Sequence, residues 1–342
     1  RVERYTWNTA ETLHAEAEIA HFGKAPLTGA MARWRIAYPD GREAATSAWD
    51  ARDIPLGTGT KLGGIDMKLA DVAAPTKLTI SVSLDGTSFR NHWDVWVYPE
   101  HAEASAQDSI VIAESFDANV ENALNEGRTV LLYPSFFGNR FGVKSAFEPI
   151  FWNMQWFAGQ TRQLGVLCDP NHAAFRTFPN DGHTDWQWWD LLNKSSVMDL
   201  DAFPRDFRPT LQVIDDWNKN RKLGAIFEAK VGQGKLVVCS LTGGKETLAG
   251  TWLRNSLTKY AASPECDPKF AIDVELIRNL FTPPVISVVK VDSEALGYEG
   301  VKAADGDAAT IWHTPWERAV RKYPHEIQLK VSGGRALAGL RI

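Results

Sequence analysis

The stretch Arg128-Thr-Val-Leu-Leu-Tyr-Pro134 is a continuous apolar run that ends at a proline. Such a run is typical of a strand buried on both faces of an α/β sheet, where helices cover the two sides. The preceding residues, Phe116 to Gly127, have helical spacing, an N-cap candidate at Ser115 or Asp117, and a glycine at the C-terminal end. A helix followed by a buried strand predicts an α/β domain, to which we assign residues 101–265.

Further along, the same region continues to alternate strand and helix patterns. Leu223 to Val231 and Lys235 to Leu241 are apolar runs separated by the turn Gly232-Gln-Gly234. A helix is predicted around Thr251 to Ala262, because its apolar residues recur on one stripe. These elements extend the predicted α/β layer on its C-terminal side.

Residues 1–100 have a different pattern, in which apolar and polar positions alternate. Period two with one polar face is the pattern of a half-buried strand. It occurs over 13–19, 34–38 and 78–84, with turn pairs at Asp40-Gly41 and Asp85-Gly86. About seven short strands in such a length predict an immunoglobulin-like β-sandwich.

The C-terminal third begins with a proline-bearing stretch. Residues 266–284 are predicted to be a linker on this composition. From Val285 onward the period-two pattern returns, and its last well-formed strand is Glu326-Ile-Gln-Leu-Lys-Val331. Residues 285–342 are therefore predicted to form part of another β-sandwich.

Within this last part, Ala303 to Thr314 reads Ala-Ala-Asp-Gly-Asp-Ala-Ala-Thr-Ile-Trp-His-Thr. Asp305, Asp307 and Thr310 place three oxygen donors in a short loop around a glycine, and oxygen donors are the ligands of Ca²⁺. We predict a structural calcium site at these three residues. The alternative is a plain turn, because Asp-Gly is a common turn pair.

The composition excludes some function classes. Subtracting 42 acidic from 37 basic residues gives a net charge of −5, and no basic run is present, which argues against a nucleic-acid partner. No apolar stretch approaches the roughly twenty residues of a membrane span. Nothing in the chain indicates an organic cofactor. The three cysteines have no metal-type spacing and imply no disulfide framework.

The order of sandwich, α/β domain and terminal β module resembles the C-terminal part of family 2 glycoside hydrolases, the β-galactosidase-like enzymes. The motifs that carry the resemblance are His21-Phe-Gly23, Trp34, Asn91-His-Trp-Asp-Val-Trp-Val-Tyr-Pro99, Leu167-Cys-Asp-Pro170, Phe178-Pro179, His183-Thr-Asp-Trp-Gln-Trp-Trp189 and Lys222-Leu-Gly224 through Gly232-Gln-Gly-Lys-Leu-Val-Val-Cys-Ser240. The loop around Asp305 resembles the cation loop of discoidin-type (coagulation factor 5/8 type C) domains, which include family 32 carbohydrate-binding modules.

The resemblance implies several expectations. Residues 285–342 would be the N-terminal part of a discoidin-like module, and 101–265 a glutamine-amidotransferase-like domain. That domain would lack its nucleophile, because Cys168 precedes Asp-Pro and Cys239 is predicted to lie within a strand. The catalytic barrel of such enzymes precedes this region, so we expect no catalytic residue here. The protein would be secreted or periplasmic, and its start at Arg1 is expected to result from processing.

Aromatic residues are the candidate sugar-binding groups. The chain has 14 tryptophans, and indole rings serve cores, interfaces or platforms for sugars. Near the C-terminus, His313 and Trp316 are predicted to contact a glycan, with surface loop as the alternative. Trp186, Trp188 and Trp189 occupy three of four consecutive positions, so at least one must leave the core. An interdomain contact is favoured for these three, with sugar stacking as the second interpretation.

Paired carboxylates for glycoside hydrolysis are not indicated. Asp215 and Asp216 are adjacent, and nothing in the sequence brings Glu148 and Glu228 together across a cleft. We therefore predict a non-catalytic accessory region that helps a glycoside hydrolase hold a polysaccharide and braces its catalytic barrel. The alternatives are a self-standing carbohydrate-binding or adhesion protein and an α/β hydrolase with an unrecognised site.

Overall fold

A computed structural model describes residues 1–101, 109–135, 137, 142–146, 163–216, 219–281, 286–305, 310–316 and 322–331. The chain divides into two compact units. The first comprises Arg1–Ser105, Pro170–Asp190 and Lys245–Leu257, and the second comprises Ala106–Asp169, Leu191–Gly244 and Thr258–Ile342. Strands predominate over helices in the described residues, which agrees with the predicted β-rich, multidomain organisation.

The first unit is built mainly of antiparallel strands. In chain order they are β1 (Thr6–Asn8), β2 (Thr12–His21), β3 (Leu27–Ala30), β4 (Ala32–Ala37), β5 (Glu43–Ala48), β6 (Arg52–Ile54), β7 (Gly57–Lys68), β8 (Thr76–Leu84) and β9 (Arg90–Tyr98). The largest sheet has the order β1-β9-β8-β4-β5, in which β1 runs parallel to β9. Strands β2 and β7 form a long ladder of their own, and β3 pairs with β6.

The core of this unit follows the predicted alternation. Trp34 and Ile36 of β4 are buried, as are Leu78 and Ile80 of β8, while the intervening arginines of β4 are exposed. Strands β4 and β8 pair in register, with Ile36 opposite Ile80, so their apolar side chains share one face. The strands predicted over 13–19, 34–38 and 78–84 are confirmed.

Two segments depart from the predicted boundaries. Pro170–Asp190 and Lys245–Leu257 were expected within the α/β region at 101–265, but they pack with the first unit. The reason is aromatic packing: Trp252 lies against Tyr98 of β9, with ring centroids 5.5 Å apart. The divisions fall within α2 (Trp188–Leu192) and α3 (Leu248–Ala261).

The second unit contains a mixed sheet. Its strands are β10 (Val111–Ala113), β11 (Thr129–Leu132), β12 (Gly142–Lys144), β13 (Gln163–Cys168), β14 (Ser196–Asp199), β15 (Leu211–Asp215), β16 (Lys222–Val231) and β17 (Gly234–Cys239). The main order is β10-β11-β17-β16-β14-β12, and β15 joins β13 to β16. Strands β10, β11 and β17 are parallel, and the other pairs are antiparallel.

The stretch 128–134 occupies the predicted central position. Strand β11 lies between β10 and β17, and Val130 to Leu132 are fully buried. The preceding helix, α1 (Ala118–Asn125), begins after Asp117, whose carboxylate accepts hydrogen bonds from the amides of Asn119 and Val120. Both the helix and the strand predicted here are confirmed.

Part of the predicted linker at 266–284 is a packed helix. Helix α4 (Val274–Phe281) buries Ile277, Leu280 and Phe281 in the core of the second unit. The Arg278 guanidinium donates to both carboxylate oxygens of Glu121 on α1, at 2.9 and 2.8 Å. The burial of the apolar face of α4 therefore makes this part of the stretch a packed helix, despite the prolines on which the linker was predicted.

The C-terminal part of the second unit contains a two-stranded ladder. Strand β18 (Ile286–Val291) pairs antiparallel with β19 (Ile327–Val331), which confirms the last predicted strand. Among the residues that the structure describes, no helix has the length and apolar character needed to cross a membrane.

Candidate functional site

Three rings near the C-terminus form what we call the terminal aromatic cluster: Tyr298, His313 and Trp316. The ring centroids of His313 and Trp316 are 4.5 Å apart, and those of Tyr298 and Trp316 are 5.2 Å apart. Two backbone hydrogen bonds fix the chain here, because His313 N donates to Tyr298 O at 3.1 Å and Ala295 N donates to His313 O at 2.7 Å. The two predicted sugar-binding residues therefore lie together, and Tyr298 joins them.

The cluster faces solvent. Trp316 is 56% exposed, although burying an indole would be favourable. The Lys302 ammonium lies 6.0 Å from the centroid of the Tyr298 ring and 3.0 Å from a carboxylate oxygen of Glu299. The exposed indole of Trp316 offers a stacking face, and the His313 imidazole beside it carries ring nitrogens that can form hydrogen bonds. This arrangement suits binding of a polar ligand with apolar C–H faces, such as a sugar.

The predicted calcium ligands are partly brought together. The Thr310 hydroxyl donates to Asp305 Oδ2 at 2.7 Å, whereas Asp307 lies outside the described residues. A carboxylate and a hydroxyl are oxygen donors of the type that Ca²⁺ binds. Within the described ranges no group of three or more His, Cys, Asp or Glu side chains is placed to hold a metal ion.

The tryptophans of the 183–189 segment have separate roles. Trp188 is fully buried and packs against Phe178 and Phe175, with centroids 5.0 and 6.4 Å away. It cannot stack on a sugar, so its prediction as a sugar-binding residue is wrong. Trp186 is 49% exposed, and one face of its ring lies on Tyr5 at 4.9 Å with an interplanar angle of 9°. Trp189 is 43% exposed.

A buried polar chain underlies these rings. The Tyr98 hydroxyl donates to Gln187 Oε1 at 2.7 Å, and Gln187 Nε2 donates to Asp185 Oδ2 at 3.2 Å and to Pro179 O at 2.7 Å. Burial raises the pKa of Asp185 to about 7, although hydrogen bonds from Gln187 lower it. Burial also raises the pKa of Tyr98 well above its ordinary value. A perturbed carboxyl can mark an active site, but this one is buried and bonded to Gln187.

His183 and Asp185 do not form an acid–base pair. Asp185 Oδ1 accepts from the Gln187 amide at 3.1 Å, and His183 Nδ1 lies 3.1 Å from Thr184 O. The carboxylate therefore caps the turn before α2.

The carboxylates weighed for catalysis serve structural contacts. Asp215 forms a bidentate pair with Arg221, whose Nε and Nη2 lie 2.8 and 3.2 Å from its two oxygens. This arginine helps lower the pKa of Asp215, against the opposing effect of burial. Glu228 accepts a hydrogen bond from the Tyr260 hydroxyl. Glu148 lies outside the described residues.

The cysteines are also placed for packing. Cys168 ends β13, and Cys239 ends β17 as a buried residue opposite Ile226. Burial raises the pKa of the Cys266 thiol to about 11, which disfavours the reactive thiolate at neutral pH. None of the three forms a disulfide.

The fold and this site define a β-rich chain of two units with a solvent-facing aromatic cluster. The chain belongs to the family described as a domain of unknown function, DUF8487, whose model matches residues 111–282. A second domain of unknown function, DUF8488, matches residues 11–99.

A sialidase from Micromonospora viridifaciens is 27% identical to this chain over 229 residues, which cover 64% of the chain and 30% of the sialidase. The chain thus matches less than a third of that relative's length. Among solved structures, a β-glucuronidase from Parabacteroides merdae is 10% identical over 38% of this chain and 20% of its own, with a TM-score of 0.21.

A family 123 glycoside hydrolase from Clostridium perfringens is 11% identical over 35% of this chain and 27% of its own, with a TM-score of 0.20. The periplasmic chaperone SfaE is 6% identical over 70% of this chain and 96% of its own, with a TM-score of 0.25. Likeness at this level assigns neither fold nor function.

Proposed function

We propose that this chain is a non-catalytic, glycan-binding accessory region of a glycoside hydrolase. The observation that carries the proposal is the terminal aromatic cluster, in which Trp316 is held beside His313 and Tyr298 while more than half of its surface stays exposed. The identity with a sialidase over 64% of the chain supports a glycan-related role. In the parent enzyme, the region braces the catalytic barrel and acts outside the cytoplasm, in the secreted or periplasmic space.

The domain identities form part of the same proposal. The antiparallel strands of 1–100 support an immunoglobulin-like sandwich. The parallel strands β10, β11 and β17, with α1 between the first two, support a glutamine-amidotransferase-like domain in 101–265 that has no nucleophile. The antiparallel pair β18–β19 supports the N-terminal part of a discoidin-like carbohydrate-binding module in 285–342.

Glycan binding is tested with the purified 342-residue chain on an array of immobilised oligosaccharides. We expect binding to at least one glycan class, and we expect Trp316→Ala to weaken it at least about tenfold, because the stacking face is lost. Val289→Ala is the matched control, since Val289 is 63% exposed outside the cluster. An array without any bound glycan would refute the proposal.

The non-catalytic part of the proposal needs a separate assay. The same preparation is incubated with a panel of aryl-glycosides at high protein concentration. We expect no turnover above the level of the buffer. Sustained hydrolysis that follows protein concentration would show that this chain has its own active site.

We also propose that Asp305, Asp307 and Thr310 hold a structural Ca²⁺. Calorimetric titration and melting curves with Ca²⁺, using Mg²⁺ as the comparison cation, test this site. We expect heat of binding and a higher melting temperature with Ca²⁺, both lost in Asp305→Asn. Identical curves with and without Ca²⁺ would leave the loop as a hydrogen-bonded turn.

A further inference from the structure

The first unit has a second surface rich in aromatic side chains. Its residues are far in the sequence from those of the terminal aromatic cluster. It is a groove of about 640 Å³, within the range of about 300–1,000 Å³ that is usual for ligand sites. We call it the lateral groove, and its functional lining consists of Phe22, Phe89, Trp93, Glu18, Arg90 and Asn91. Strands β2, β8 and β9 supply its walls.

The aromatic rings of the lateral groove are exposed. Phe22 is 76% exposed, Phe89 51% and Trp93 39%. Leaving such side chains in water forfeits the free energy gained by burying apolar surface. Several of them around one concave surface therefore indicate a ligand or partner.

The loop at one end of the groove is built to hold Phe22 outward. Its neighbour His21 turns inward, is buried, and places Nε2 2.9 Å from Ala25 O. A Cβ atom added at Gly23 would lie 2.6 Å from His21 Cε1, so the ring packs directly on the glycine backbone. The His21 and Phe89 rings are in turn 6.3 Å apart. The position of Phe22 is thus fixed by the folded loop.

The aromatic surface continues beyond this groove. An adjoining depression shares Glu18, Val82 and Trp93 with it and extends to Tyr5. Tyr5 is the residue on which the exposed Trp186 stacks. Trp93 therefore lies where the two depressions meet, and the combined surface is larger than the groove alone.

Polar groups line the same groove as these rings. Glu18 lies 3.4 Å from the guanidinium of Arg1, and Asn91 uses its Oδ1 to accept from the His92 amide, which leaves its NH₂ group for a ligand. In the described part of the chain, Arg90 forms no salt bridge. Glutamate is depleted at protein–protein interfaces, although arginine and aromatic residues are enriched there. The carboxylate of Glu18 among the rings therefore favours a hydroxyl-rich ligand, to which carboxylate, guanidinium and amide groups can all bond.

We propose that the lateral groove binds a polysaccharide chain, with pyranose rings stacked on Trp93, Phe89 and Phe22 and with hydroxyl groups bonded to Glu18, Arg90 and Asn91. This inference rests on the proposed glycan-related function and adds a second binding surface to it. The two surfaces lie in different units.

The test measures binding of the full 342-residue chain to soluble galactan, arabinoxylan and mixed-linkage β-glucan by calorimetry and affinity electrophoresis. For the polymer that the chain binds, we expect Phe22→Ala and Trp93→Ala each to weaken binding at least about fivefold. Leu56→Ala is the matched control, because Leu56 is 49% exposed and does not line the groove. Phe22→Ala removes an exposed side chain, so its melting temperature should stay unchanged.

The outcomes separate the two proposals. If Trp316→Ala weakens binding and neither Phe22→Ala nor Trp93→Ala does, the lateral groove is refuted and the proposed function stands. If the unaltered chain binds none of the polymers and no glycan on the array, both fail. If the chain self-associates in sedimentation experiments and Phe22→Ala abolishes this without changing polymer binding, the groove is a protein interface and the inference is wrong.

Discussion

The buried carboxyl of Asp185 predicts an unusual pH dependence of stability. In the folded chain its pKa is raised from 3.8 to about 7, mainly by burial, with the charge of Asp181 adding to the rise. The unfolded chain releases this proton first as the pH increases. Above about pH 4 the folded state therefore holds more protons than the unfolded state, and stability falls with pH until the folded group also ionises.

The size of this effect follows from the two pKa values. A difference of about three pH units, at about 1.4 kcal/mol per unit, corresponds to roughly 4 kcal/mol over the whole window. Between pH 5 and pH 8 the loss is roughly 2–3 kcal/mol, because part of it has already occurred below pH 5. Well below pH 4 the group is protonated in both the folded and the unfolded state, so it adds nothing to the pH dependence of stability.

The substitution Asp185→Asn removes the titrating group and keeps its shape. We expect the difference in free energy of unfolding between Asp185→Asn and the unaltered chain to grow by roughly 2–3 kcal/mol in favour of the variant from pH 5 to pH 8. The assay is urea unfolding followed by tryptophan fluorescence at both pH values. Asp71→Asn, at an exposed position, is the control and should show no such change. A difference that stays constant across the two pH values would refute the reasoning.

Two further pairs of substitutions test the packing of Trp188 and the cap of α1. Trp188→Ala should lower the free energy of unfolding by about 3–5 kcal/mol, because it leaves a cavity at a fully buried site. Trp189→Ala, at a 43% exposed position, should lower it far less. Equal losses of stability in urea unfolding would contradict the assignment of Trp188 to the core. Asp117→Ala should cost about 1 kcal/mol by removing the cap of α1, and Asp117→Asn should recover most of it because the acceptor oxygen remains. Thermal melting followed by circular dichroism checks the second pair, and an equal loss in both variants would argue against a capping role.

The local elements of the fold are readable from the sequence because their causes are local. Helix α1 has its cap at Asp117 and its apolar stripe within one short segment. The hairpin of β16 and β17 turns at Gly232, whose φ of +60° suits glycine. The alternation in β4 and β8 likewise needs no knowledge of distant residues.

The sequence-based predictions failed where contacts between residues far apart in the chain determine the structure. Proline content suggested a linker at 266–284, but Ile277 and Leu280 of α4 find a core to fill and Arg278 finds Glu121 on α1. For the site, the sequence placed His313 beside Trp316, and it missed Tyr298 because a single tyrosine in a polar stretch carries no signal of its neighbours.

The sequence by itself determined the alternating strands of the first unit, helix α1, strand β11 and the β16–β17 hairpin, since periodicity, caps and turn residues act over a few positions. Only the tertiary structure decided which of Trp186, Trp188 and Trp189 is buried, because three adjacent indoles are equivalent until other elements pack against them. It also decided that Phe22 and Trp93, distant in the chain, line one groove. Phe22 follows β2 and Trp93 lies on β9, which belong to separate sheets, so only the packing of these sheets brings the two residues to one surface.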